Sequence, residues 1–428
     1  MIRLIAAALM LLTMAFPAHA QEEVASPALQ HRAAELARLL DSETGEQALF
    51  APSFLAQIPP AQIKAIAARL KAQHGAVKGV ARIVPQSATA GRIEIDYARS
   101  VVSITIALEP EEPHRLIGLL VTGAIVRDDS FEKLLGDVRA LHGTAALSVR
   151  ALGERPATLA AWRAGEPMAT GSSFKLYLLA ELARAAKAGE RRWSDVVPLG
   201  PPSLPSGISQ AWPAKAPVTL YTLATLAISI SDNTAADTLL HALGRDKVDA
   251  ILAASGHAAP ERAIPLLSTV EAFALKMPAN AALRANWMAG SPAQRRLLLL
   301  GSAGRLSRAA IDPTQLAGPP LHIDEVEWFA SADDMASLLD WLRREGGAQA
   351  LAILGINPGI APGDAARWRY VGYKGGSETG VMAMNYLVEA RDGRTWYAVT
   401  GSWNDPAAPV DEARFAALMS RALNLLAK

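Results

Sequence analysis

Strand-like runs stand at both ends of residues 130–428, and helical text lies between them. "GTAALSVRAL" and "TLAAWRAGE" come early, while "RWRYVGYKG", "GVMAMNYLVEA" and "TWYAVTGSW" come late. A strand pair with one apolar face must bury that face against another element. Two separate domains would leave each half-sheet without cover. The spacing therefore predicts one antiparallel sheet closed from the two ends of the segment, with a helical subdomain inserted between them. Helical patterning dominates 219–350, and "DEARFAALMSRALNLLAK" predicts a last helix.

An earlier unit is different in kind. "PALQHRAAELARLLDS" and "PPAQIKAIAARLKAQHG" carry helical spacing, the second from proline to Gly75. "VKGVARIV", "GRIEIDY", "VVSITIAL" and "RLIGLLVT" then alternate or run β-branched between turns. Residues 24–125 thus predict a small α+β unit, helices followed by a meander. The charged stretch "VRDDSFEK" at 126–133 is the expected linker. The fold class predicted for the whole chain is α/β in the α+β sense.

"MIRLIAAALMLLTMAFPAHA" places Arg3 before an apolar run that ends in Ala18-His19-Ala20. That is the layout of a secretory signal peptide cleaved after Ala20, and it predicts a periplasmic or secreted product without a stable membrane anchor. The chain has no cysteine, which excludes disulfides, thiol catalysis and thiolate metal sites. Lys+Arg number 42 against 41 Asp+Glu, so nothing points to nucleic acid as a partner. The eight histidines show no metal-ligand spacing, and no glycine-rich nucleotide loop precedes a helix. No metal and no cofactor is expected.

The chemistry is concentrated in three short stretches. In "ATGSSFKLYLLA" a lysine stands in the first turn of an apolar helix. Ser172 is three residues before Lys175, and that spacing brings the two onto one helix face. Ser173 points away. An amine in apolar surroundings loses affinity for its proton, and a neutral amine beside a hydroxyl is a base beside a nucleophile. Ser-x-x-Lys alone is a weak signal. Ser130 and Lys133 have the same spacing, and Ser130 reads as a helix N-cap. The second stretch, Ser231-Asp232-Asn233, occurs once in the chain. The third, Lys374-Gly375-Gly376, puts a lysine beside backbone that another molecule can approach.

In this order the three stretches resemble the S-x-x-K, S-D-N and K-T-G motifs of class A β-lactamases and penicillin-binding proteins. "TGSSFKLYLLAEL", "LPSGISQAWP", "SDNTAADTLL" and "YKGGSETGV" resemble further the two-domain β-lactamase-like proteins of clavulanic acid gene clusters and their bacterial relatives. Those carry a small steroid-isomerase-like domain in front, of the cystatin-like α+β kind, which suits residues 24–125. The resemblance implies a serine hydrolase. Ser172 would be acylated and Lys175 would take its proton. Ser231, polarised by Lys374, would protonate the leaving group. Asn233, Gly375, Gly376 and Ser377 would bind substrate, with the Ser172 and Ser377 amides as the oxyanion hole. The implied partner is a small molecule: a β-lactam, an ester or a peptidoglycan-like peptide. A D-Ala-D-Ala peptidase-like acceptor, and a binding module that has lost turnover, stay open beside the hydrolase.

Two departures stand out. Gly375 occupies the place of a Thr or Ser, and the E-x-x-L-N pattern of the class A deacylating glutamate is missing. Among the carboxylates before Phe329, Asp312 reads as a turn residue, and Asp324, Glu325 and Glu327 read as a solvated acidic loop.

Overall fold

The computed structural model describes residues 24–42 and 47–427. The expected signal peptide lies outside them. The described residues divide into two compact units, with the division between Thr122 and Gly123.

The first unit is built from helices α1 (Pro27–Ser42) and α2 (Pro60–His74). Strands β1 (Val77–Pro85), β2 (Ala90–Tyr97), β3 (Ser100–Leu108) and β4 (Leu116–Val126) follow. They form a sheet in the order β1-β2-β3-β4. Strict alternation decides its inner face: Ile93, Ile95 and Tyr97 of β2 and Val102, Ile104 and Ile106 of β3 are buried. The helices supply Leu29, Leu36, Leu40, Ile63 and Leu70 to the same core. This is the α+β layout expected of helices followed by a meander.

The second unit opens with α3 (Phe131–Arg139), whose N-cap is Ser130; its hydroxyl accepts from Lys133 N. So the decoy Ser-x-x-Lys is a cap. Strands β5 (Thr144–Leu152) and β6 (Ala157–Trp162) come next. A short strand, β7 (Met168–Ala169), then leads to a 3₁₀ turn at Gly171–Phe174 and helix α4 (Lys175–Lys187). After a long loop come α5 (Leu220–Ser229), α6 (Asn233–Leu243), α7 (Arg245–Ala254) and α8 (Thr269–Lys276). They are followed by β8 (Phe329–Ala330), α9 (Ala332–Glu345), β9 (Tyr370–Glu378), β10 (Val381–Glu389), β11 (Trp396–Asn404) and α10 (Glu412–Leu426).

The five-stranded sheet runs β9-β10-β11-β5-β6, every neighbour antiparallel. Early and late strands meet where β11 pairs β5, Thr400 opposite Ser148. One sheet is thus made from both ends of the unit, as the sequence predicts. Helices α3 and α10 cover one face through Leu134, Val138, Phe415 and Met419. The other face is covered by α9, with α4 behind it. Nearly every residue of α4 is buried. A helix apolar all round belongs inside a core, and each fully buried leucine there contributes about 2 kcal/mol. Lys175 therefore opens a helix that is buried over most of its length.

Candidate active site

Ser172 lies in the 3₁₀ turn and is half-buried, while Ser173 is buried and accepts from Asn385 Nδ2 at 2.9 Å. Asn385 also reaches the Lys374 carbonyl at 3.1 Å, so one amide of β10 ties the turn at Gly171–Phe174 to β9. Sequence reading had no signal for Asn385, a lone polar residue in an apolar strand.

The turn is pressed against β9. A methyl group on Gly376 would overlap the Thr170 carbonyl and the Ser172 and Ser173 amides. Gly171 adopts φ 48°, and a side chain there would stand 3.1 Å from Ser377 N. Two glycines therefore let two backbones touch, and the Ser172 and Ser377 amides lie at that contact.

Lys175 is completely buried. Its Nζ donates to the Ser231 carbonyl at 2.6 Å, to Ser231 Oγ at 3.2 Å and to Asn233 Oδ1 at 2.7 Å. Burial lowers its pKa to about 7, against the opposing pull of Asp237 and Asp232. Ser231 bridges α5 and α6 in the left-handed region at φ 59°. Its hydroxyl also accepts from Lys374 Nζ at 3.1 Å. Lys374 is buried too, and burial together with the Lys175 charge drives its pKa well below the usual lysine value. One hydroxyl thus sits between two amines that both resist protonation.

Asp232 holds this turn in shape. Its carboxylate accepts from Ile208 N, Ser209 N, Ser209 Oγ and Ala235 N. Burial works against its charge, yet these hydrogen bonds keep its pKa below the usual carboxylate value. Capping α6 and fixing the loop at 206–209 are one act by one side chain.

A cavity of about 810 Å³ opens above these groups, lined by Ser172, Ser231, Asn233, Lys374, Gly376 and Ser377 among others. Gly375 lines it as well, and the space a side chain would take there is filled by the Tyr373 hydroxyl. Among the described residues, no group of three or more histidines or carboxylates is placed to hold a metal ion.

The acidic stretch before Phe329 needs correction. Asp312 is exposed and caps a short helix at Pro313–Leu316, accepting from Thr314 N at 2.9 Å. Asp324 is exposed and Glu325 pairs with Arg284 at 2.8 Å. Glu327, by contrast, is buried. Its Oε1 meets Lys276 Nζ at 2.8 Å, and its Oε2 accepts from Gly171 N at 3.3 Å and Trp328 N at 3.2 Å. The reason is the pairing of β8 with β7, Phe329 opposite Ala169, which draws this stretch in beside the turn that carries Ser172.

The model of the beta-lactamase enzyme family matches residues 128–354, more than half of the 428-residue chain. The chain belongs to the beta-lactamase enzyme family. The matched span holds Ser172, Lys175 and Ser231-Asp232-Asn233 and ends before Lys374. The family member is similar to a solved beta-lactamase from Sphaerobacter thermophilus, with 22% identity and a TM-score of 0.48 over 69% of this chain and 96% of that one. A beta-lactamase from Xanthomonas campestris pv. campestris is 16% identical at TM-score 0.48, covering 69% of this chain and 96% of its own. The structure of PBP-A is 14% identical at TM-score 0.46, covering 69% and 93%. No curated protein matches the chain.

Proposed function

We propose that this protein is an exported serine hydrolase that opens β-lactams or small esters through an acyl-enzyme on Ser172. The observation that carries the reading is the Ser231 hydroxyl, held at 3.2 and 3.1 Å from two buried amines on the rim of the cavity that Ser172 enters.

The chemistry follows from that arrangement. Ser172 Oγ attacks the carbonyl carbon, and neutral Lys175 takes its proton directly or through one water. The carbonyl oxygen gathers charge against the Ser172 and Ser377 amides; losing one such donor typically slows acyl transfer about a hundredfold or more. Ser231 gives its proton to the leaving nitrogen or oxygen and is resupplied from the amine side. Asn233 orients Lys175 and offers its amide to substrate. Gly375 and Gly376 expose strand backbone to an extended ligand. The ligand is a small molecule, and the balanced net charge of +1 gives nucleic acid no footing. No helix among the described residues is long and apolar enough to cross a membrane. Export rests on the leader reading of residues 1–20.

The test is intact-mass spectrometry of the mature protein and of Ser172→Ala, with benzylpenicillin, a chromogenic cephalosporin and activated esters. A transient adduct on wild type, turnover of product and no adduct on Ser172→Ala are expected. An adduct that persists without turnover supports instead the slow-releasing, D-Ala-D-Ala peptidase-like acceptor. Absence of any adduct, with ligand binding retained in Ser172→Ala, overturns catalysis altogether.

A further inference from the structure

Side chains of a strand alternate between its faces, so Lys374, Gly376 and Glu378 share one face of β9. Gly376 is the residue pressed on the nucleophile turn. Lys374 and Glu378 therefore stand on either side of that contact, each about 7 Å along the strand. The amine on one side serves Ser231. The carboxyl on the other side has no part in acylation.

Glu378 does not stand alone. Lys276, at the end of α8 and completely buried, bonds to both Glu378 and Glu327. Held on one amine, the two carboxyls lie side by side, and like charges that close favour one proton between them. Burial and the neighbouring Glu327 charge place it on Glu378, whose pKa is raised well above the usual value; at Glu327 burial is the largest single effect, but the Lys276 charge and the hydrogen bonds the carboxylate accepts together outweigh it and lower its pKa. Both oxygens of Glu327 are occupied by Lys276 and by the Gly171 and Trp328 amides, and its side chain has no exposure. Glu378 keeps 14% of its side chain open. These two are the acidic residues that line the cavity.

We propose that Glu378 is the general base that brings water onto the acyl-enzyme, with Glu327 and Lys276 as its positioning residues. The inference rests on the acyl-enzyme reading of Ser172. Glu378 first releases its own proton to solvent. The carboxylate then takes a proton from water as the water oxygen bonds to the ester carbonyl carbon. Collapse of the tetrahedral species breaks the bond from that carbon to Ser172 Oγ. The proton passes from Glu378 to Oγ, and the product leaves as the acid. The charged and titratable groups facing Glu378 are Lys276 from α8, Glu327 from the segment before β8, and Lys374 on its own strand face. Since only ionised Glu378 takes the proton, release from Ser172 accelerates as pH rises.

The experiment follows adduct decay by mass spectrometry after free benzylpenicillin, or an activated ester, is removed. Wild type, Glu378→Gln and Glu378→Asp are compared from about pH 6 to about pH 9. In wild type the adduct lifetime shortens with rising pH. Glu378→Gln acquires the adduct and keeps it about a hundredfold longer or more, with decay no longer rising with pH. Glu378→Asp, which keeps a retracted carboxyl, falls between them. A wild-type lifetime that does not shorten with pH overturns the inference, and that measurement needs no variant to fold. So does a Glu378→Gln lifetime equal to wild type with a lowered melting point, the signature of a purely structural ion cluster. If wild type acquires no adduct at all, the acyl-enzyme reading itself fails, and this inference with it.

Discussion

Lys175 Nζ donates to the Asn233 side-chain oxygen at 2.7 Å, and an amide oxygen brings no countercharge. The nearest carboxylates, Asp237 and Asp232, act on the amine from beyond bonding distance. Burial then wins and the amine titrates at about 7. The acylation rate is expected to rise with pH through that value and level off above it. Asn233→Asp puts a carboxylate in contact with the amine and shifts the rise upward by about 1–3 pH units. Stopped-flow or quenched mass measurements of acylation against pH read both limbs. An unmoved limb in Asn233→Asp removes Lys175 as the base.

The same burial has a consequence for stability. An unfolded lysine titrates at about 10.4. In the folded chain Lys175 titrates at about 7. Between those values the unfolded state holds a proton that the folded state has lost, so this group makes stability rise with pH across that window. Below it the amine is charged in both states and its burial penalty is complete. Lys175→Met removes the titration. Urea midpoints of wild type and Lys175→Met are expected to differ most in the variant's favour at low pH, and wild type gains on the variant as pH rises towards about 10. A difference that does not change with pH contradicts the neutral buried amine.

How far the site could be read in the sequence depends on which contacts are local. Ser172 and Lys175 are one helical turn apart, and the Ser231-Asp232-Asn233 turn caps its own helix, so both are legible from spacing. Convergence on Lys374 followed from motif order and the closure of one sheet from both ends of the unit. Glu327 was not legible. Its burial comes from Lys276, 51 residues earlier, and from the pairing of β7 with β8, each only two residues long. "HIDEVE" alone reads as a polar loop, and of its three acids only Glu327 is buried. Asn385 was hidden for a related reason, because its partners Ser173 and Lys374 come from other elements.

Asp232 gives a test of the turn that carries Ser231. Its Oδ2 accepts from the Ile208 and Ser209 amides, both at 2.8 Å, and its Oδ1 from Ser209 Oγ at 2.6 Å and Ala235 N at 2.9 Å. Asn is the same size, but either orientation sets its NH₂ against a backbone N–H. Asp232→Asn is therefore expected to lose about 1–3 kcal/mol in urea denaturation. Hydrolysis should fall at least about tenfold as Ser231 leaves its left-handed geometry. Unchanged stability shows that the turn is held by something other than the carboxylate.

Gly375 raises a question of space. A side chain there would begin where the Tyr373 hydroxyl lies, and the Tyr373 ring cannot swing aside freely. It is packed against Gly359 and lies tilted against the Tyr386 ring, centroids 4.7 Å apart. Restoring the hydroxyl of the family motif with Gly375→Thr is thus expected to damage the enzyme. Overpacking of this kind costs about 1–3 kcal/mol, and displaced β9 backbone lowers kcat/KM about tenfold or more. Tyr373→Ala vacates the space, so the double variant Tyr373→Ala with Gly375→Thr is expected to recover much of what the single threonine loses. A double-mutant cycle on melting temperature and kcat/KM reads the coupling between the two positions. Additive losses mean that glycine at 375 answers to the substrate or the Ala383 carbonyl, 3.1 Å from the position a side chain would take, and not to Tyr373.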